Sequence, residues 1–237
     1  MSTNLSSNSL FHFTNSFDNL TSIIENGLFP RYVIEDYAAL DSAIPRLAIP
    51  MICFCDIPLT HSLDHIGEYG KYGIGLSKEW ALTKDLNPVT YLTTNAELRG
   101  IYDRLFIESN ESNGFTNITN EIIKYIKPYR GQSTKNNKQK IFYDEKEWRF
   151  IYRNSDLKNF KPILIEPEFG QIKDHNTNIE SYALTPNSSD VKYLIVNRRD
   201  EVYKLCDFIF ESTPFKKQEK YKLMSCIISI EDIKEDF

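Results

Sequence analysis

Two carboxylates and an arginine alternate along one stretch of the sequence, Asp144-Glu145-Lys146-Glu147-Trp148-Arg149. If this stretch is a strand, Glu145, Glu147 and Arg149 lie on one face, because strand side chains alternate with a period of two. Fixed carboxylates bind hydroxyl groups and stabilise the oxocarbenium-like state of glycosyl transfer. Two carboxylates and an arginine on one face therefore suit a site that binds hydroxyl groups and stabilises a cation-like sugar. The alternative is an exposed edge strand with ordinary charge alternation.

The first predicted strand, at residues 10–14, carries a second polar pair. His12 offers a donor and an acceptor to a ribose, and Thr14 points to the same side of the strand. The pattern alone favours the alternative, in which His12 packs between Phe11 and Phe13 and bonds to the backbone.

A tyrosine and glycine segment, Tyr69-Gly-Lys-Tyr72-Gly-Ile-Gly75, follows later in the chain. Paired tyrosines beside glycines can form a flat slot for an aromatic ring. The alternative is a tight loop whose tyrosines pack on the core. The glycine order differs from the dinucleotide-binding fingerprint.

Cysteines and histidines form a weaker candidate site, Cys53-x-Cys55 with His61-x-x-x-His65. Two thiols and two imidazoles could hold zinc in a hydrolase. The spacing favours buried cysteines in a strand instead, so we expect no metal.

Positive charge is concentrated at 122–143, which has no Asp or Glu although the whole chain carries −5. This basic segment holds Lys124, Lys127, Arg130, Lys135, Lys138 and Lys140. It predicts a surface for an anionic acceptor, with DNA and RNA among the candidates; a solvated loop is the alternative. We predict that Arg130, Lys135, Lys138 and Lys140 bind this anionic acceptor. The negative net charge of the whole chain excludes nonspecific coating of nucleic acid.

Hydrophobic patterning predicts one α+β domain over residues 1–237, with residues 1–9 as a flexible tail. We expect a helix after Ser16 that ends at Gly27, a helix near 200–210, and a loop or short helix at 31–47. The predicted strands lie at 10–14, 49–55, 72–76, 89–92, 141–152, 161–165, 191–196 and 222–229.

Composition limits the class of protein further. Aromatic residues make up 13% of the chain and hydrophobic residues 41%, which excludes general disorder. We expect no secretory signal, because residues 1–9 contain no Lys or Arg and no apolar segment. No apolar run in the sequence reaches the length of a membrane helix. Its four cysteines indicate thiols in the reducing cytoplasm.

Several of these motifs, taken in order, resemble the AbiGi family of abortive phage infection. The most specific are Cys53-Phe-Cys-Asp-Ile-Pro58 and Glu147-Trp-Arg149; the first strand and helix and the glycine segment add weaker similarity.

The first strand and helix also resemble DarT-type ADP-ribosyltransferases. That resemblance implies an ADP-ribosyltransferase-like fold of two small packed antiparallel or mixed sheets with flanking helices. It implies NAD as substrate, with His12 and Thr14 holding the nicotinamide ribose and amide and Tyr69 or Tyr72 stacking on the nicotinamide. Arg46, with Arg31 as the alternative, is the nearest candidate for the arginine of such sites. Glu147 and Glu145 are the catalytic residues that the resemblance implies, with Glu147 stabilising the oxocarbenium.

The resemblances together predict an NAD-dependent mono-ADP-ribosyltransferase of a phage-defence or toxin–antitoxin system. The alternative is a non-catalytic antitoxin or sensor module that keeps the transferase-like fold and binds a cognate partner protein. We expect no membrane partner in either case.

Overall fold

A computed structural model describes residues 7–37, 46–95, 97–102, 104, 116–133, 138–152 and 161–236. Helices and strands are mixed along the chain, which confirms the α+β class. Its contacts divide into two units. The first comprises Met1–Phe29, Cys53–Leu86 and Tyr182–Phe237; the second comprises Pro30–Ile52 and Asn87–Ser181. The assignment of one domain stays a prediction.

Four strands form the sheet of the first unit. Strand β1 (Ser9–Thr14) pairs antiparallel with β4 (Tyr72–Ser77), which pairs antiparallel with β12 (Val191–Val196). Strand β13 (Ile227–Ser229) runs parallel to β12. The core beside these strands contains Phe11 of β1 and Ile195 of β12, together with Cys55, Ile57, Ile66, Ile230 and Ile233.

The first helix of this unit begins at a side-chain cap and ends at a glycine. Helix α1 (Phe17–Asn26) begins after Ser16, whose side chain accepts from the Asn19 backbone N–H, and ends at Gly27, with φ 85°. This confirms the predicted cap and stop. The other helices are α2 (Leu63–Tyr69), α3 (Lys78–Thr83), α6 (Arg199–Ser212), α7 (Lys217–Met224) and α8 (Ile230–Asp236).

Two glycines of β4 allow aromatic rings to lie against its backbone. A Cβ at Gly75 would lie 2.8 Å from a Phe11 ring carbon, and one at Gly73 would lie 2.9 Å from a Phe13 ring carbon. A side chain at either position would therefore displace one of these rings.

The second unit is built from short strands. Strand β3 (Leu47–Cys55), which contributes residues to both units, pairs antiparallel with β2 (Arg31–Glu35) and β11 (Leu164–Ile165). Strand β10 (Glu147–Ile151) pairs antiparallel with β5 (Asn87–Pro88). The remaining pairs are β6 (Thr90–Leu92) with β7 (Ile126–Pro128) and β8 (Arg130–Gln132) with β9 (Gln139–Ile141).

Helices α4 (Thr116–Ile123) and α5 (Ile172–Asn178) complete the second unit, with 3-10 turns at Phe142–Glu145 and Glu166–Gln171. Three predicted elements differ from the structure. Residues 31–35 form a strand instead of a loop or short helix, and α7 occupies the first part of the strand predicted at 222–229. The strand predicted at 141–152 is interrupted by the 3-10 turn at Phe142–Glu145. Within the part of the chain that the structure describes, no helix combines the length and apolar character needed to cross a membrane.

Candidate functional site

Arg149 and Glu147 lie on the buried side of β10, where strand alternation places them on one face. Arg149 is 0% exposed and Glu147 is 5% exposed. The Arg149 guanidinium donates to a Glu147 carboxylate oxygen at 2.7 Å and to the Lys124 carbonyl at 2.7 Å. It also pairs with Glu35 at 3.0 Å, at the end of β2.

Glu145 approaches Glu147 from a turn. The predicted shared strand face is wrong for Glu145, because it ends a 3-10 turn and Lys146 then takes a left-handed conformation with φ 46°. The ammonium of Lys127 joins the two carboxylates, at 2.7 Å from Glu145 and 2.6 Å from Glu147. Lys140 pairs with Glu145 at 2.9 Å.

These contacts form one buried cluster of opposite charges, which we call the ion cluster. Its described members are the carboxylates Glu35, Glu145 and Glu147 and the cations Lys127, Lys140 and Arg149. The numbers of positive and negative groups are equal, so burying them together avoids an uncompensated charge.

The electrostatics keep the ion cluster charged. Burial by itself raises the pKa of Glu147, but Arg149 and Lys127 outweigh it and hold that pKa far below its ordinary value. Burial lowers the pKa of Lys127, but Glu147, Glu35 and Glu145 raise it well above its ordinary value. Glu147 is therefore an ionised acceptor whose oxygens already take donors from two protein cations. The catalytic roles of Glu147 and Glu145 stay predictions.

The basic segment loses much of its exposed charge to neighbouring carboxylates. Lys124 is 1% exposed and pairs with Glu121 at 2.7 Å, while Lys127 and Lys140 belong to the ion cluster. Arg130 and Lys138 are exposed. Lys135 lies outside the described residues. The acceptor-binding roles of Arg130, Lys135, Lys138 and Lys140 stay predictions.

His12 lies on β1 in the first unit, against the backbone and an aromatic ring. Its Nδ1 lies 2.8 Å from the Cys53 carbonyl oxygen, so Nδ1 carries the proton and donates. The ring is 5.7 Å from that of Phe54. Burial lowers the pKa of His12 more than the bond to Cys53 raises it, so His12 is neutral at pH 7. The backbone bond agrees with the alternative, although the ring contact is with Phe54. The role of His12 as an NAD ligand stays a prediction.

Three other predicted NAD ligands lie near the β1–β4 pair. Thr14 is opposite Tyr72 in the ladder, and its hydroxyl accepts from the Asn19 side chain at 3.0 Å. The Tyr72 hydroxyl donates to Glu201 at 2.9 Å; burial and this carboxylate raise the pKa of Tyr72 to about 12. Tyr69 is the last residue of α2. Their roles as ligands stay predictions.

Arg46, the remaining predicted NAD ligand, lies in the second unit. It pairs with Glu166 at 3.2 Å, and both side chains are exposed. Its guanidinium carbon lies 5.7 Å from the centre of the Phe169 ring. The structure therefore holds Arg46 in a surface ion pair, apart from the ion cluster.

Among the described residues, no group of three or more His, Cys, Asp or Glu side chains has the arrangement of a metal site. Cys53 and Cys55 are not joined in a disulfide. The side chain of His65, the last residue of the weak zinc motif, lies outside what the structure describes.

Comparison with known proteins gives two matches. The model of a family described as "Putative abortive phage resistance protein AbiGi, antitoxin" matches residues 26–197. A protein from Lactococcus lactis subsp. cremoris, named "Abortive phage resistance protein AbiGi", is 28% identical over 250 residues, covering 88% of this chain and 98% of that protein. No solved structure matches the chain significantly, so the ADP-ribosyltransferase-like fold stays a prediction.

The family description overturns the sequence-based function. The prediction of an NAD-dependent mono-ADP-ribosyltransferase is wrong, because the matching family is described as an antitoxin. That description fits the alternative of a non-catalytic module. The match over residues 26–197 places the chain in the AbiGi family of abortive phage resistance proteins.

Proposed function

We propose that this chain is the antitoxin of an abortive phage resistance system, a non-catalytic protein that binds a cognate toxin and suppresses its activity. The observation that carries the proposal is the antitoxin description of the family whose model matches residues 26–197. We further propose that it acts in the cytoplasm, where the toxin would act.

The ion cluster supports a non-catalytic role. A catalytic carboxylate must offer an oxygen to the substrate, yet Glu147 accepts from both Arg149 and Lys127. Opening this arrangement would leave charged groups buried without partners, which is costly. We therefore assign Glu147 to the internal architecture of the second unit.

The basic segment supports a protein partner over a nucleic acid. Binding to a phosphate backbone depends on several exposed cations that replace counterions. Lys124, Lys127 and Lys140 instead pair with carboxylates of the same chain.

The test is neutralisation of an identified partner. Tagged protein is purified from its own host, the protein that copurifies with it is identified, and that partner is then expressed alone in a test strain. We expect the partner alone to stop growth and coexpression with this chain to restore it.

A variant at an exposed ion pair serves as a control for the effect of a surface substitution. Arg46→Met removes an exposed ion pair and is expected to neutralise the partner like the wild type. If the partner still stops growth when the wild-type chain is coexpressed, the antitoxin function is contradicted.

A further inference from the structure

Three exposed aromatic side chains lie on the C-terminal helices α6 and α7. Tyr203 is 75% exposed, Phe210 is 52% exposed and Tyr221 is 51% exposed. Tyr203 has the highest exposure among the large apolar side chains that the structure describes. Large apolar groups that remain exposed together on a surface often mark an interaction site.

The pattern of α6 explains this exposure. Its buried residues Glu201, Leu205 and Ile209 recur every four positions and face the first unit. Tyr203 and Phe210 are seven positions apart, so they lie on one solvent-facing stripe and are separated by about 10 Å along the helix.

Lysines of α7 border the aromatic groups. The Lys220 ammonium donates to the Phe210 carbonyl at 2.6 Å and lies 5.8 Å from the centre of its ring. The Lys217 ammonium lies 5.7 Å from the centre of the Tyr221 ring. The α7 side of this surface is therefore both aromatic and positively charged.

The α6 side carries the opposite charge. Asp207 and Glu211 are exposed on α6, and Lys216 and Lys217 are exposed at the start of α7. In the part of the chain that the structure describes, none of these four side chains forms an ion pair; Asp200, by contrast, pairs with Arg198 and Lys204. Acidic groups on α6 and basic groups at the start of α7 thus both remain exposed to solvent.

We propose that this α6–α7 surface binds a second copy of the chain in a two-fold symmetric dimer. A two-fold interface places the same surface of both copies in contact. Helix α6 of each copy therefore lies against α7 of the other copy, which gives two equivalent contacts. Asp207 and Glu211 of each copy then face Lys216 and Lys217 of the second copy, and the aromatic groups leave water together. A surface carrying both charges complements itself, whereas a uniformly charged surface would repel its copy.

Three aromatic side chains and two sets of charges offer few contacts, which predicts a weak dimer. Complexes with few contacts are transient, so we expect a dissociation constant on the order of micromolar. Sedimentation velocity on the full chain across a concentration series measures it. The wild-type mass is expected to rise from that of the 27.7 kDa monomer to twice that value.

Apolar variants test the aromatic contact. Tyr203→Ser with Phe210→Ser is expected to weaken the dimer at least about tenfold, because these rings supply its apolar contact. Leu82→Ser is the matched control, since Leu82 is 63% exposed on α3 of the same unit. Circular dichroism confirms that both variants are folded.

Charge exchange tests the pairing of α6 with α7. One variant carries Asp207→Lys and Glu211→Lys, and the other carries Lys216→Glu and Lys217→Glu. The exchanges suit the helices, because lysines near the end of α6 and glutamates at the start of α7 match the helix dipoles. Each variant alone is expected to be monomeric, whereas an equal mixture restores the dimer with opposite charges at both contacts.

Three results would overturn the proposal: a wild type that stays monomeric at every concentration, a Tyr203→Ser/Phe210→Ser variant that dimerises like the wild type, or mixed charge variants no heavier than each alone. All three are independent of toxin neutralisation, so this inference and the antitoxin function can fail separately.

Discussion

The ion cluster of the second unit and the β1–β4 pair of the first unit use polar side chains in opposite ways. In the ion cluster, charged groups are buried and balanced by other charged groups. At the β1–β4 pair, burial keeps His12 neutral, and glycines bring the backbone close to the rings of Phe11 and Phe13. Residue types that suggest catalysis thus have two different environments: a charged one in the second unit and a neutral one in the first.

The difference teaches that a motif must be judged together with its partners. Glu147 and Arg149 suggest a reaction when only their own strand is considered. Lys127 lies 20 positions before Glu147 and Glu35 lies earlier still, and these partners hold the motif within the ion cluster. Breaking one contact in each unit should therefore affect stability for distinct physical reasons.

Loss of the central cation should have the largest effect. Arg149→Met leaves Glu147 and Glu35 buried with one fewer positive group, which should lower the free energy of unfolding by about 3–5 kcal/mol. Urea unfolding followed by circular dichroism measures this loss. Arg46→Met, which removes the exposed pair with Glu166, should cost at most about 1 kcal/mol. Equal losses in the two variants would contradict the role assigned to the ion cluster.

The glycine contacts of the first unit should produce the next largest effect. Gly70 has φ 124°, and a Cβ there would lie 2.0 Å from the Thr14 carbonyl oxygen. Gly70→Ala should therefore lower the free energy of unfolding by about 2–4 kcal/mol.

Gly67 provides the matched control for Gly70. It lies within α2, and no atom would meet its Cβ within 4 Å. Gly67→Ala should stabilise the chain by about 0.5–1 kcal/mol in the same urea experiment, because alanine favours helix. Two changes of the same sign and size would refute the close contact at Gly70.

Acid should weaken the ion cluster by a smaller amount. The pKa of folded Glu147 lies below its ordinary value of 4.5, so the unfolded chain takes up the proton first as the pH falls. The stability that Glu147 contributes is present above pH 4.5 and is lost below it, by up to about 1.4 kcal/mol per pH unit. The free energy of unfolding, measured across this pH range, should fall less steeply for Glu147→Gln than for the wild type. An unchanged slope would show that Glu147 is not held by its cations.

Much of the local structure could be predicted from the sequence. Strands β1, β4 and β12 and helices α1 and α6 lie close to the predicted ranges, because alternation, caps and glycine stops act over a few residues. The beginning of the strand predicted at 222–229 is helical instead, as α7 continues to Met224.

The candidate site was less predictable, because its partners are distant in sequence. The pattern of β10 places Glu147 and Arg149 on one face, but nothing beside them indicates Glu35 or Lys127. Glu35 directly follows the apolar residues of β2. A carboxylate at the end of a buried strand needs a partner, and this was the local signal in the sequence. The positive charge of the basic segment is visible in the sequence, whereas the carboxylates that pair with its lysines are set by the tertiary structure.

The most direct test of the central claim is growth of a test strain that expresses this chain alone. An antitoxin without catalytic activity predicts normal growth for the wild type and for Glu147→Gln, at equal levels of soluble protein. Growth arrest by the wild type that Glu147→Gln abolishes would contradict the claim, because it would assign a toxic activity to that carboxylate.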